Sequence, residues 1–309
     1  MKKLLMIFIL WVFVICADMF FIEPNLLFLK TEKIYVPNWN KQIDGFKIAV
    51  IADIHLGTKF VDLKKLDKIA QKVNKKRPDL VVFLGDLDAK SISYQEYKKE
   101  EIAEVLKSFS GKNGTIAIMG NHDYEPKNII RPIYKEAAIP LLEHQDLFIY
   151  PNNIPVRLVG FKDLWHYKSS PLNIIGTKYK NTPTIVLAHN PDSFNEMPDF
   201  VSITLSGHTH GGEIVFPVIG SFVVPSKFGQ RYRKGHIIEN GKHLYVSCGV
   251  ATTGRARLLN PPEITILEIH SLTKNTEIIN TKPLKGINKN YAPILMPKIR
   301  NLLKALNKK

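Results

Sequence analysis

Short apolar runs alternate with helical patterns through the first half of the chain. The run FKIAVIAD at 46–53 is typical of a buried strand, and an amphipathic helical pattern follows it and stops before Pro78. The run DLVVFLGD at 79–86 predicts a second strand, 94–109 a second helix, and TIAIMGNHD at 115–123 a third strand with its loop. Such alternation predicts βαβ units.

The second half of the chain contains strand-like runs with less helical pattern between them. Because parallel strands need crossover connections, which are usually helical, we expect more antiparallel pairing here. No internal repeat or low-complexity linker interrupts the chain, so we expect one domain over 45–275. The strand-like runs lie at 156–161, 184–189, 201–206, 244–248 and 263–269.

One long apolar segment occupies the N-terminus. Residues 4–22 read LLMIFILWVFVICADMFFI, and their number approaches the ~20 residues that span a bilayer. Asp18 is the one charge in this segment, and no convincing small-residue cleavage site is present. We therefore predict an uncleaved membrane anchor over 1–24. A buried core helix is the alternative, although the segment is apolar on all faces.

The charges that flank this segment leave its orientation open. Lys2 and Lys3 favour a cytoplasmic N-terminus and an exported domain, whereas Lys30, Lys33 and Lys41 follow on the other side. A shallow helix on the cytoplasmic face, with the domain in the cytoplasm, is also compatible with this pattern.

The C-terminal tail at 284–309 is basic. It has seven Lys or Arg and no acid. The spacing of its apolar residues predicts an amphipathic helix. This helix would either lie on an anionic membrane or pack its apolar stripe on the domain. The stripe comprises Ile299, Leu302, Leu303 and Leu306.

Composition agrees with a globular chain that has an anionic partner. The 309 residues are 45% hydrophobic and 23% charged, and 43 Lys+Arg against 28 Asp+Glu give a formal charge of +15. The partner would be anionic lipid, nucleic acid or a phosphorylated substrate; the alternative is lysine on solvated faces. Two cysteines, Cys16 and Cys248, exclude a disulfide framework and a cysteine metal site.

Residues of metal-binding type follow the apolar runs. Ligands of α/β sheets bind at the carboxyl ends of strands, so these separate segments could converge on one crevice. Oxygen and imidazole donors without cysteine suit Mn²⁺, Fe or Zn²⁺ better than a structural thiolate zinc site. Each of these short motifs alone also fits an ordinary turn. Chance is a poor explanation for the occurrence of all of them in one chain in this order. The residues are Asp53, His55, Asp86, Asn121, His122, His189, His208 and His210.

In this order the motifs resemble the calcineurin-like metallophosphoesterases. The resemblance covers about 46–269 and implies a four-layer α/β/β/α sandwich with a dinuclear metal centre at the strand ends, here preceded by a membrane helix. The matching segments are ADIHLG at 52–57, GDLDA at 85–89, GNHDYE at 120–125, AHNPD at 188–192 and SGHTHGGE at 206–213.

The resemblance also implies a ligand set and two divalent ions, for which we expect Mn²⁺ with Fe or Zn²⁺ as alternatives. Asp86 would bridge the two ions. The first ion would be held by Asp53, His55, Asp86 and His210, and the second by Asp86, Asn121, His189 and His208.

Two such ions clamp phosphoryl oxygens and lower the pKa of a bridging water, and the resulting hydroxide attacks phosphorus in line. By the same resemblance, His122 acts as general acid or electrostatic stabiliser, and Asp123 orients His122 or is a turn residue. Arg255 and Arg257 either bind a phosphate or are solvated loop charges.

An aromatic pair lies outside the motifs. Trp165 and Tyr167 either line an entrance for an acyl or aromatic group or form a satellite core cluster.

The N-terminal segment, GHTHGGE and the ending GVATTGRARLLNPPEITILEI are similar to a bacterial membrane-associated branch of this family. That branch includes general phosphodiesterases and a UDP-2,3-diacylglucosamine pyrophosphatase of lipid A biosynthesis. We therefore expect hydrolysis of a phosphodiester or pyrophosphate bond on a lipid-linked or nucleotide-sugar substrate such as UDP-2,3-diacylglucosamine. The expected location is the bacterial cytoplasmic membrane, single-pass or monotopic, with the side of the domain open.

Two alternatives belong to other classes. The first is an exported phosphatase or phosphodiesterase acting on cell-envelope polymers, and orientation separates it from the main hypothesis because UDP-linked substrates require the cytoplasmic face. The second is a non-catalytic scaffold, against which the complete ligand set argues. We do not expect nucleic acid binding, because the charge is scattered and no nucleic-acid motif accompanies it. The sequence does not indicate an oligomeric state.

Overall fold

The computed structural model describes residues 1–88, 97–124 and 129–273. The predicted tail helix at 284–309 and the start of the predicted helix at 94–109 lie outside the described residues. The helices are α1 (Lys2–Ala17), α2 (Leu63–Asn74), α3 (Lys99–Lys107), α4 (Ile130–Glu136) and α5 (Pro171–Ile175). The strands are β1 (Phe28–Val36), β2 (Phe46–Ile51), β3 (Leu80–Phe83), β4 (Thr115–Ala117), β5 (Gln145–Ile149), β6 (Val156–Gly160), β7 (Thr184–Leu187), β8 (Ile203–Ser206), β9 (Val215–Phe216), β10 (Gly220–Ser221), β11 (Gly235–Glu239), β12 (Lys242–Val246) and β13 (Glu263–Ser271).

The first sheet has the strand order β1-β13-β2-β3-β4. Strands β2, β3 and β4 are parallel, and β13 runs antiparallel to β2. In β2, Ala49 and Ile51 pack toward helices α2 to α4, while Ile48 and Val50 pack toward the second sheet. Both faces of this sheet are therefore buried, which explains the continuous apolar runs in its sequence.

The second sheet has the order β11-β12-β8-β7-β6-β5. Its inner strands β6, β7, β8 and β12 are parallel, and within this sheet, among the described residues, only the edge strands β5 and β11 pair antiparallel. Every antiparallel pair among the described strands includes a strand of the second half, so that half is the more antiparallel one, although the interior of this sheet is parallel. The crossovers use short segments, such as the five-residue α5 and the 3-10 turn Pro191–Glu196, which leave little helical pattern in the sequence.

The outer face of the second sheet is covered by α5 and by the turn Pro191–Glu196. With the helices outside the first sheet and the core between the two sheets, the layers are α/β/β/α, which confirms the predicted fold class.

The first sheet begins upstream of the predicted boundary at residue 45. Strand β1 pairs in parallel with β13 along its whole length, from Phe28 opposite Glu263 to Val36 opposite Ser271. It is an edge strand, and Lys30 and Lys33 on it make ion pairs with acids of β13 at 3.3 Å. Charged residues are typical of sheet edges, and they hid this strand from an apolar pattern.

The N-terminal residues form one exposed helical segment, Lys2–Asn25, that continues α1 through a π turn and a 3-10 turn. Its mean hydropathy is 2.7, and none of its most apolar window is buried in the protein. The segment is long and apolar enough to cross a membrane by length and composition. The alternative of a buried core helix does not fit this exposure.

Candidate metal centre

Five loops, each directly after a strand, meet at one edge of the two sheets. Three of them follow β2, β3 and β4 of the first sheet, and two follow β7 and β8 of the second. The parallel strands of each sheet aim their carboxyl ends at the same place, so residues distant in sequence become neighbours. These loops carry Asp53 and His55, Asp86, Asn121 and His122, His189, and His208 and His210.

The side chains form two overlapping groups of metal-ligand type, within each of which the ligand atoms lie no more than 4.8 Å apart. Asp86 belongs to both groups. Its Oδ2 lies 3.5 Å from His55 Nε2 and 3.3 Å from His189 Nε2. The groups are Asp53, His55, Asp86 and His210, and Asp86, His189 and His208.

Asn121 joins the second group, because its Oδ1 lies 3.1 Å from His189 Nε2. The structure thus brings together all seven residues expected to hold metal. His208 Nε2 is buried and has no hydrogen-bond partner among the described residues. An unpartnered buried imidazole nitrogen, facing carboxylate and amide oxygens, fits a site for divalent cations that accept nitrogen and oxygen donors.

The backbone around the ligands is strained in a consistent way. Asp53, His55, Asp86, His208 and His210 all have positive φ, between 41° and 69°. Residues other than glycine adopt this region rarely, at a cost of order 1–3 kcal/mol each, and such residues cluster at functional sites. The strain therefore lies at five of the seven candidate ligands.

Three of the histidines are oriented by backbone carbonyls. The Nδ1 atoms of His55, His189 and His210 lie 3.0 Å, 2.7 Å and 3.4 Å from the carbonyl oxygens of Asp88, Leu84 and Ala251 respectively. Donation from Nδ1 leaves Nε2 as the lone-pair atom that faces the cluster, which is the usual arrangement of a metal-binding histidine.

Burial and mutual charge control protonation in the cluster. Burial lowers the pKa of His55 to about 4 and that of His208 to about 3, so both imidazoles are neutral near pH 7. Burial also raises the pKa of Asp53 to about 7. Although burial opposes its ionisation too, Asp86 has a pKa well below its ordinary value because His189 and His55 surround it. Carboxylates held this close in a buried site favour a bound cation.

Asp123 holds the backbone of the site and does not contact the ring of His122. Its carboxylate accepts hydrogen bonds from the amides of Asp86 at 2.8 Å, Leu87 at 2.9 Å and Gly120 at 2.9 Å. The expectation that Asp123 orients the His122 imidazole therefore needs correction. Asp123 instead fixes the loop that presents Asp86.

Replacing Asp123 with Asn is expected to destabilise the fold and weaken metal binding together. The amide group would turn an N–H toward backbone N–H donors, and leaving such buried groups unpaired costs about 1–3 kcal/mol. Thermal unfolding with and without added Mn²⁺ measures both effects. Asp67→Asn makes the same change on the surface of α2, where Asp67 only accepts a bond from Gln71, and equal midpoints for the two variants would contradict the assignment.

One wall of the site mouth is aromatic. Trp165 is 61% exposed and lies edge-on to His208, with ring centroids 4.8 Å apart. His166 Nε2 lies 3.1 Å from the Asn121 carbonyl oxygen, which ties this loop to the cluster, and Tyr167 is also exposed. Trp165 therefore fits the entrance alternative, whereas Tyr167 contacts the rings of Tyr124 at 5.4 Å and His144 at 6.4 Å and so also belongs to a satellite cluster.

His122 lies at the same mouth. Its side chain is half-buried, whereas Asn121 before it is buried. The ring sits edge-on to His55 at 5.2 Å, and its amide donates to Asp86 Oδ1 at 2.9 Å. His122 therefore borders the cluster and remains partly exposed to solvent.

The two arginines expected at a phosphate have different environments. Arg257 is fully buried and donates to the carbonyls of Cys248 at 2.9 Å, Ala251 at 2.6 Å and Asn260 at 2.8 Å. Its guanidinium N–H groups are hydrogen-bonded to backbone carbonyls. Arg257 therefore stabilises this loop and is not placed to bind a phosphate. Arg255 is exposed on the same loop.

Sequence reasoning missed the structural reason for two glycines and one acid. A Cβ at Gly120 would lie 2.2 Å from Asp86 Oδ1, and one at Gly207 would lie 2.7 Å from Asp53 Oδ2. Glu213 accepts hydrogen bonds from the amides of Thr253 and Gly254 and fastens that loop beside the site. A glycine directly before a candidate ligand was the available signal for the first two.

A family model described as "Calcineurin-like phosphoesterase" matches residues 46–212. This range contains all seven ligands of the cluster and His122.

Three relatives extend the similarity beyond that range. The chain is 34% identical to "Phosphodiesterase YaeI" of Escherichia coli over 232 residues, which cover 72% of this chain and 82% of that protein. It is 28% identical to "Uncharacterized metallophosphoesterase YkuE" of Bacillus subtilis, covering 81% and 88%. It is 25% identical to "UDP-2,3-diacylglucosamine pyrophosphatase LpxG" of Chlamydia muridarum, covering 80% and 90%.

Proposed function

Because the chain belongs to the calcineurin-like phosphoesterase family and is a metallophosphoesterase, we propose that it hydrolyses a phosphodiester or pyrophosphate bond on a lipid-linked or nucleotide-sugar substrate at a membrane. The observation that carries this proposal is the pair of ligand groups that share Asp86. A donor set with one shared carboxylate suits two divalent ions, for which Mn²⁺, Fe or Zn²⁺ are candidates.

Two ions held by these seven residues would polarise the phosphoryl oxygens and supply a water of lowered pKa. The chain's own residues position and protonate the substrate around that centre. His122 stands beside the cluster and is partly exposed, so an imidazole nitrogen can give a proton to the leaving oxygen or stabilise its charge. We assign the catalytic role to His122 and a positioning role to Asp123, and we keep Arg255 as a candidate phosphate contact.

The substrate class rests on three observations. The LpxG relative is named for a UDP-linked, diacylated sugar, and the YaeI relative for phosphodiesters. The exposed apolar segment Lys2–Asn25 suits a membrane anchor, and a membrane location suits an acylated substrate. Trp165 offers an exposed aromatic face beside the cluster, on which a nucleobase can stack.

Release of UMP from UDP-2,3-diacylglucosamine tests the proposal directly. The full chain, purified in detergent and loaded with Mn²⁺, is expected to release UMP, and Asp86→Asn is expected to release it at least about 10³-fold more slowly. An aryl phosphodiester serves as a second substrate. If metal-loaded protein cleaves the aryl ester but not the UDP-linked lipid, that substrate is wrong, and a phosphodiesterase acting on cell-envelope polymers becomes the better assignment.

Trp165→Ala is expected to raise KM for the UDP-linked substrate about tenfold, with a much smaller change in kcat. Base–aromatic stacking contributes about 1–3 kcal/mol, and about 1.4 kcal/mol corresponds to tenfold in affinity. Steady-state kinetics measure the two constants separately. Trp165→Phe keeps an aromatic face and should recover most of the affinity. If Ala and Phe variants share the KM of the unmodified protein, Trp165 does not contact the substrate.

A further inference from the structure

An apolar hairpin projects from the domain next to the metal centre. Residues 214–223 read IVFPVIGSFV, contain no charge, and form the two short strands β9 and β10 with their turn. Val218 at the tip is 93% exposed, which is unusual for a large aliphatic side chain. Contiguous exposed apolar surface marks a contact with another molecule or a membrane. The exposed apolar side chains are Phe216, Val218, Ile219, Phe222 and Val223.

The base of the apolar hairpin is hydrogen-bonded to the body of the domain. Ser221 Oγ donates to the Gly212 carbonyl at 2.5 Å and Gln230 Nε2 donates to the Ser221 carbonyl, so the base of the hairpin is fixed to the body. Val218 has φ of 69°, a conformation that β-branched residues adopt rarely.

The hairpin lies beside the end of the N-terminal helical segment. The Val215 amide donates to the Leu258 carbonyl at 2.9 Å. The next residues of that loop contact the helical segment: Glu23 accepts from the amide of Leu259 at 2.8 Å and from that of Asn260. One short loop thus joins the hairpin to the last turn of the apolar segment, and Leu259 on it is exposed as well.

The loop that contains Arg257 contacts the helical segment about one bilayer thickness from its N-terminal end. At about 1.5 Å per residue, Lys2 to Met19 spans roughly 27 Å, close to the ~30 Å hydrocarbon core of a bilayer. The Arg257 amide donates to the Met19 carbonyl at 3.0 Å. If the segment crosses a membrane, this loop and the adjoining hairpin lie at the membrane–water boundary.

We infer that the apolar hairpin 214–223 inserts into the lipid bilayer as a second membrane contact, which holds the metal centre at the lipid surface. A bilayer is the occupant because the apolar segment Lys2–Asn25 would bring one to this side of the domain. Lys59 supports this choice, since its Nζ lies 5.8 Å from the ring of Phe21 and can meet anionic headgroups.

The inference rests on the membrane anchor of the proposed function and adds a location for its substrate. The hairpin begins four residues after His210, a member of the cluster. Insertion of the hairpin would place the mouth of the site beside the headgroups, where the phosphate of a lipid-linked substrate lies.

Fluorescent labels on single cysteines test the inference in the full chain. The protein is reconstituted in nanodiscs of phosphatidylethanolamine and phosphatidylglycerol, with or without brominated acyl chains. One label is placed at Val218→Cys in a Cys16→Ser background, where the remaining Cys248 is buried. The matched control is Tyr150→Cys in the same background. Tyr150 is 63% exposed and follows β5, at the sheet end opposite the metal centre. A label on native Cys16 reports on the helix.

Brominated lipid is expected to quench most of the emission at 218 and at Cys16, and little at 150. Aqueous iodide is expected to quench only the label at 150. Quenching by iodide at 218 as strong as that at 150, with Cys16 quenched by lipid, would overturn the inference and leave the anchor standing. Protection at 218 from both quenchers would also overturn it and indicate a second protein copy. No lipid quenching at either 218 or Cys16 would overturn the hairpin and the anchor together.

Activity gives a second measurement that does not depend on labels. Val218→Asp with Ile219→Asp is expected to lose most activity toward a substrate embedded in nanodiscs and to keep that toward a soluble aryl phosphodiester. Equal retention of both activities would contradict membrane insertion. The label experiment needs no turnover, so an error in the proposed substrate would leave its outcome intact.

Discussion

Asp86→Asn is expected to lower kcat by about 10³-fold or more and to reduce the metal content of the protein. Asp86 is shared by both ligand groups and is fully buried, so no other residue can take its place. The charge stabilisation that metal ions supply is worth several kcal/mol, and each 1.36 kcal/mol is tenfold in rate. The amide of Asn carries no charge and offers one oxygen where the carboxylate offers two.

Metal content, activity and stability should change together in this variant. Elemental analysis measures bound metal, and the rise in thermal midpoint on adding Mn²⁺ measures binding without any substrate. Asp192→Asn is the matched control, because Asp192 is a buried aspartate that contacts Ser226 and Lys227 and lies outside the cluster. A protein with Asp86→Asn that keeps its metal and its turnover would refute the shared-carboxylate arrangement.

The clustering of candidate ligands could be predicted because it depends on a local pattern. Each candidate stands within a few residues of the end of an apolar run, and parallel strands bring such ends together. The predicted strands β2 and β3 were therefore enough to predict that Asp53 and Asp86 are neighbours. The same apolar runs predicted an α/β sandwich, whereas its four-layer arrangement was implied by the family resemblance.

The roles of Asp123 and Arg257 could not be predicted in this way. An aspartate beside His122 looks like its partner in sequence, but Asp123 accepts hydrogen bonds from the amides of Asp86 and Leu87, more than thirty residues away. From the sequence, Arg257 is a candidate phosphate ligand. Its burial excludes that role, and the burial depends on how the loop folds around Cys248 and Ala251, which the sequence pattern does not show. Contacts to the backbone leave no residue-type signal, because every residue offers the same amide and carbonyl.

The edges of the domain were also beyond the sequence pattern. Strand β1 carries charged residues, so the start of the first sheet was not evident from an apolar pattern. The short crossovers of the second sheet lack helical periodicity, so the parallel direction of its inner strands was not evident either. The apolar hairpin 214–223 was assigned no element and no role from the sequence. Its importance comes from exposure and from the loop that joins it to Glu23, which only the tertiary structure shows.

His122→Ala is expected to lower kcat by about 10²–10⁴-fold while metal content stays unchanged. Unlike the buried ligands, His122 is half-exposed and contacts the cluster mainly through its backbone amide, which alanine retains. The range is that of a lost general acid or base. His270→Ala is the matched control, since His270 lies on β13 and bonds to Glu268.

The leaving group distinguishes proton transfer from simple charge stabilisation by His122. If an imidazole nitrogen gives its proton to the leaving oxygen, a nitrophenyl ester should lose much less rate in His122→Ala than an alkyl ester, because nitrophenolate leaves without protonation. An equal loss for both esters would assign His122 to stabilising charge on the equatorial oxygens instead. Loss of metal in this variant would contradict both roles, since the half-exposed ring would then be needed to build the cluster itself.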